Sequence, residues 1–167
     1  MPYEINLIDR DNRYAKSYLS LIEKIEQHFS SFERLPHDAD FFADEVFVDD
    51  SYVNKYTKQE IIEKGLGVKL KAKLLKDWIE ISFWDDSFVS IDLPNYPQQG
   101  IDEIIASIIP IINFLYREGL VIEHPIEDKV IPQEEVKVFL CRAYVKRQAL
   151  VNQVAKIVSQ KSSESSD

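Results

Sequence analysis

Residues 78–94, WIEISFWDDSFVSIDLP, constrain the fold of this chain more than any other stretch. Ile79, Ile81 and Phe83 alternate with Glu80, Ser82 and Trp84 ahead of Asp85, Asp86 and Ser87. Beyond that break, Val89, Ile91 and Leu93 alternate with Ser90 and Asp92. Successive side chains on a strand point to opposite faces, so this spacing predicts a β-hairpin with one oily face and one mostly wet face. A lone hairpin is marginal in water, and its oily face needs an apolar cover. On the wet face Trp78, Trp84 and Phe88 stand among Glu80, Ser82, Ser90 and Asp92. The first or the last helix of the chain is the expected cover for these rings.

The flanking segments supply the rest of a fold. Val68, Leu70 and Ala72 alternate with Lys69, Lys71 and Lys73, which predicts a third strand whose lysine face guards a sheet edge. Thr57 and Glu60 make a capping box for a short helix that Gly65 stops. Nearer the start, residues 3–8 read as an opening strand. Tyr14, Tyr18, Leu21, Ile22, Ile25, Phe29 and Phe32 then recur at three- and four-residue steps, predicting one helix of about twenty residues.

After the hairpin, Ile101, Ile104, Ile105, Ile108, Ile109, Ile112 and Leu115 define the most apolar helix. Asp102 and Glu103 lie in its first turn, Pro110 falls inside it, where a kink is expected, and Gly119 closes it. This helix is the expected cover for the oily face of the hairpin. Residues 120–123 read as a short strand able to pair with Val130 and Ile131. Pro132 opens a last helix through Val136, Leu140, Tyr144, Val151, Val154 and Val158. At about 25 residues it exceeds the usual globular helix, so part of it is expected to project or to pack on a second copy as a homodimer. The expectation is therefore one α+β domain over residues 1–158. It has an antiparallel sheet with a central hairpin, amphipathic helices on one face and a long C-terminal helix, followed by a frayed polar tail at 159–167.

Charge and composition narrow the function. Twenty Lys and Arg face 29 Asp and Glu, a net charge of -9, which argues against a nucleic-acid partner because phosphate binding draws on clustered cations. Cys141 is the single cysteine, so no internal disulfide forms and a reducing cytoplasm is expected. The N-terminal residues lack the basic and apolar regions of a secretory signal. No apolar run is long enough to span a membrane.

Residues 36–54, PHDADFFADEVFVDDSYVN, are the most unusual segment. No Lys or Arg falls between Arg34 and Lys55, while Asp38, Asp40, Asp44, Glu45, Asp49 and Asp50 supply carboxylates interleaved with Phe41, Phe42, Phe47 and Tyr52. Carboxylates this close in sequence repel one another, so they are solvated, paired, or held for a cation or a partner. His37, Asp38, Asp40 and Asp44 do not follow an EF-hand loop, which needs a turn glycine and a closing bidentate glutamate. No metal is expected. Aromatic anchors among carboxylates suit a basic protein partner, offering it both steering and hot spots. Trp84, Asp85 and Asp86 at the hairpin tip join this surface if Trp84 is exposed.

Catalytic signatures are missing. There is no G-x-S-x-G elbow, no phosphate-cradling glycine loop and no H-E-x-x-H helix. A nucleophile–base pair of Cys141 and His124 is conceivable chemically, but a structural helix cysteine is the simpler reading. Neither a catalytic residue nor a cofactor is expected. The alternative is a small enzyme or ligand-binding domain with a pocket between the isoleucine-rich helix and the sheet, near His124 or His37. The order of a YEINLID strand, a helix, an alternating hairpin, an apolar helix and REGLVIEHPIEDKVI resembles small bacterial proteins of the toxin-immunity type. That resemblance implies a cytosolic inhibitor that binds a cognate toxin domain, and an acidic surface would suit a basic nuclease toxin. It carries no family residue onto this chain.

Overall fold

The computed structural model describes residues 3–36, 45–48, 51–54, 56–84 and 89–164. The architecture is α+β. Its centre is the predicted meander of β5 (Lys69–Leu74), β6 (Asp77–Phe83) and β7 (Val89–Leu93), three strands that lie side by side and antiparallel. The hairpin turn at Asp85, Asp86 and Ser87, with Phe88, lies outside the described residues.

The sheet order could not be read along the chain. β1 (Tyr3–Asp9) lies between β7 and β8 (Leu120–Ile122), and β2 (Phe32–Arg34) is added beside β5. The resulting six-stranded sheet has the order β2-β5-β6-β7-β1-β8 and is antiparallel throughout. A separate two-stranded sheet pairs β3 (Glu45–Val48) with β4 (Ser51–Asn54).

The first helix is shorter than its apolar spacing predicted. α1 covers only Leu19–His28. Tyr14 and Tyr18 precede it in turns where the Asp9 carboxylate accepts the N–H groups of Arg13 (3.0 Å) and Tyr14 (2.6 Å), and Asn12 adopts a left-handed conformation. Past His28 the chain extends at Phe29, and Phe32 enters β2 opposite Ala72. The three- and four-residue steps survive as burial of Tyr14, Tyr18, Leu21, Ile22, Ile25 and Phe32, but two turns and a strand share them with the helix. The other sequence signals correspond closely to structure. In α2 (Lys58–Lys64) the Thr57 hydroxyl accepts the Glu60 N–H at 3.1 Å, and Gly65 closes the helix at φ 71°.

α3 (Ile101–Arg117) is continuous through Pro110 and buries Ile104, Ile105, Ile108, Ile111, Ile112, Phe114 and Leu115. These side chains form one core with Ile79, Ile81, Phe83, Val89, Ile91 and Leu93 of the hairpin, as the oily face required. Behind α3, Glu118 accepts hydrogen bonds from the Tyr14 hydroxyl and from Lys24 Nζ, the latter at 3.1 Å, and so ties the end of that helix to α1. The Tyr14 bond, then Lys24 and Arg13, hold the Glu118 carboxyl below its ordinary range against partial burial.

A short 3₁₀ turn at Gln133–Glu135 leads into α4 (Val136–Glu164). Val136, Leu140 and Tyr144 on α4 are buried, and the Tyr144 hydroxyl donates to the Pro94 carbonyl at 2.9 Å. Beyond them Leu150, Val154, Ile157 and Val158 are exposed. The helix runs on through residues 159–164, into the polar stretch expected to fray. Among the described residues no helix is long and apolar enough to cross a membrane.

Candidate functional site: an acidic face of the sheet

Alternation along the strands separates two surfaces. Residues 5, 7, 79, 81, 83, 89, 91 and 93 point into the core, so Glu4, Glu80 and Asp92 point the other way. Register places these three side by side, because Glu4 is opposite Asp92 and Asp92 is opposite Glu80. The row continues through Lys71 on β5 to Glu33 on β2, crossing five strands. A parallel row joins Lys69, Ser82, Ser90 and Asn6.

Like charges directly opposite on neighbouring strands destabilise a sheet, and here the middle carboxylate also loses water. Burial first, then Glu4 and Glu80, raise the Asp92 carboxyl to about 6, with Lys69 opposing. Lys69 instead pairs with Glu80 at 3.4 Å. Asp92 Oδ1 is buried and has no hydrogen-bond partner among the described residues. The face thus sets three carboxylates side by side, with the middle one partly desolvated.

A measurable pH dependence follows. A carboxyl whose folded pKa is raised binds its proton more tightly when folded, so its contribution to stability is full below the unfolded value of 3.8 and is lost as pH rises through about 6. Asp92→Asn should therefore stabilise the protein at pH 7, by roughly 1 kcal/mol once solvent screening of this half-exposed group is allowed for. Denaturant midpoints of the two proteins should differ at pH 7 and converge near pH 4. A gap of the same size at both pH values would contradict the assignment.

The aromatic residues of this face behave differently from expectation. Neither the first helix nor the last covers Trp78: it is 53% exposed, with Lys71 Nζ at 4.9 Å and Lys73 Nζ at 5.9 Å from its ring. The reason is that both helices lie on the core side, where Leu21, Ile22 and Ile25 of α1 join the core and Tyr144 of α4 meets Tyr3. Trp84 is half-buried by local contacts. Its indole N–H donates to Ser90 Oγ at 2.7 Å, and Lys69 Nζ sits 5.4 Å from its ring. Ser90 and, opposite it, Ser82 are buried on this face.

Of the other residues expected to bind a partner, Glu45 and Tyr52 lie on β3 and β4, opposite Asn54 and Phe47 respectively. Asp38, Asp40, Asp44, Asp49, Asp50, Asp85 and Asp86 lie outside the described residues, as does His37. Glu4 was not anticipated. Its own alternation is imperfect, and only the insertion of β1 beside β7 brings it to Asp92.

The pocket anticipated between α3 and the sheet is taken up by core side chains, since Ile104, Ile105, Ile108 and Ile112 of α3 are buried there. A groove of about 560 Å3 lies instead along β1, with His124 on its wall. Cys141 lines a different depression, beside Tyr96 and Asp102. Among the described residues no group of His, Cys, Asp and Glu is placed to hold a metal ion. No family model, curated protein or solved structure matches the chain.

Proposed function

We propose that this protein is a non-catalytic protein-binding protein, a cytosolic inhibitor of the immunity type that neutralises a basic toxin domain through its acidic, aromatic-containing surface. The observation that carries this reading is the row of carboxylates Glu4, Asp92 and Glu80 set side by side on a face beside the exposed Trp78. Such a row costs stability in the free protein, and a lysine or arginine of a partner seated on it removes that cost. Sites that sacrifice stability in this way are a common signature of binding. The cation-free stretch between Arg34 and Lys55, with Trp84 and the acidic hairpin tip, extends the same character along the chain.

The partner to test is the C-terminal domain of any large secreted protein found to be encoded beside this one. Calorimetry with that purified domain should give tight binding. Reversing Asp44, Asp49 and Asp50 together to lysine should weaken it about 100-fold, the scale of a few lost charge pairs at an interface. Unchanged affinity would remove the segment from the interface, and no binding by the unaltered protein would end the immunity reading.

A further inference from the structure

β8 covers only part of the edge of β1. Glu123 donates its N–H to the Asn6 carbonyl (3.4 Å), and Arg10 donates to the Gly119 carbonyl (3.2 Å). Even-numbered residues of β1 therefore turn their backbone groups toward β8, and odd-numbered ones turn theirs toward β7. β8 pairs only with Leu7, Ile8 and Asp9, and beyond Glu123 the chain swings away at His124. By the same alternation the N–H and C=O of Glu4 point out of the sheet, and no described residue pairs with them. Unpaired backbone groups at a sheet edge can take up another strand.

Space for that strand is already formed. The groove along this edge holds about 560 Å3 and is lined by Tyr3, Glu4, Ile5, Glu123, His124 and Phe139, among others. Its far wall is fixed from within. His124 Nδ1 accepts the N–H groups of Ile126 (3.2 Å) and Glu127 (3.1 Å), the His124 N–H donates to Lys129 at 2.7 Å, and Glu123 bridges to Val130. A preformed wall avoids the ordering cost of making one on binding.

We infer that this edge binds an extended, basic segment of a partner protein by strand addition. Glu123 is paired with Asn6 and shares the outer face with Glu4. A side chain on the added strand opposite Glu4 lies directly across from that carboxylate and one repeat beyond Glu123. That position takes lysine or arginine. The residues on either side of it turn inward, toward Tyr3, Ile5 and Phe139, and are apolar. Main-chain hydrogen bonds to Glu4 supply affinity, and the alternation of basic with apolar residues supplies specificity. The proposal is independent of the acidic stretch at 38–52, because it rests on the unpaired edge.

A fluorescein-labelled octapeptide of alternating valine and arginine, followed by anisotropy with the full chain, is a direct probe. It should bind. The same peptide methylated on its arginine amides keeps its charge but cannot pair with the edge, and it should bind about tenfold or more weakly, as should the unmodified peptide to the double variant E4K and E123K. Glu4 is exposed and Glu123 half-buried, and circular dichroism checks that the variant is folded. Hydrogen exchange at the Glu4 amide should slow when the peptide is bound. Absence of binding, equal affinity of the methylated peptide, or unchanged exchange at Glu4 would each overturn strand addition. Full binding by the double variant would overturn the basic register.

Discussion

Tyr144→Ala should lower stability by roughly 3–5 kcal/mol, the range for removing a fully buried aromatic side chain. For a chain of this size that is a fall of about 10 °C in Tm. Tyr144 is completely buried, its ring lies 5.2 Å from that of Tyr3, and its hydroxyl reaches the Pro94 carbonyl. One residue therefore fastens α4 both to β1 and to the loop that precedes α3. Arg147 reinforces the latch, donating to Asn95 Oδ1 at 2.6 Å and lying 5.6 Å from the Tyr3 ring. Tyr144→Phe keeps the packing and loses one hydrogen bond, so it should cost about 1 kcal/mol. Thermal scans of both variants separate the two contributions. A phenylalanine variant as unstable as the alanine one would mean that the hydroxyl, and not the ring, holds the helix.

Phe83→Ala should have an effect of similar size, about 3–5 kcal/mol, by leaving a cavity at the base of the hairpin tip. The Phe83 ring is fully buried 5.3 Å from Tyr18. Its backbone is anchored separately, donating to Val68 O at 3.0 Å and accepting from Gly67 N at 2.6 Å. The strand should therefore stay paired while the core beneath it loosens. Phe83→Leu, which keeps most of the volume, should cost less than about 1.5 kcal/mol. Urea titration followed by tryptophan fluorescence reads this well, since Trp84 is the next residue and is tied to Ser90. If the alanine variant proved as stable as the parent, Tyr18 would have to fill the space that Phe83 leaves.

Elements that repeat a simple period over many residues were legible in the sequence. The hairpin alternates without a fault on its oily face, and α3 carries isoleucine at nearly every helical step, so each pattern has one solution. α1 is shorter than its spacing at both ends: turns held by Asp9 carry Tyr14 and Tyr18 ahead of it, and Phe29 and Phe32 satisfy a helical step equally well when a turn and a strand separate them. Tertiary pairing with β5 decided the matter, and β2 is too short to announce itself. For the candidate site, the wet face of the hairpin could be read, and Glu80 and Asp92 were placed on it. Their third companion could not, because which strand lies beside β7 is settled by closure of the whole sheet and not by anything local to Glu4. The cover for Trp78 failed for a related reason: all the apolar helices found their partners on the other side, leaving none for the second face.

The position of β1 also has a consequence for the order of events during synthesis. Of the six strands of this sheet β1 is made before the others yet lies fifth across it, and its partners Val89 and Ile122 are made much later. Until Ile122 emerges, the β5-β6-β7 meander can form but Leu7 cannot be flanked on both sides. Contacts this distant along the chain slow folding and leave intermediates with an exposed strand. A ribosome stalled before β8 would thus hold a chain in which the β8-facing edge of β1 is free to pair with a neighbour on the same message.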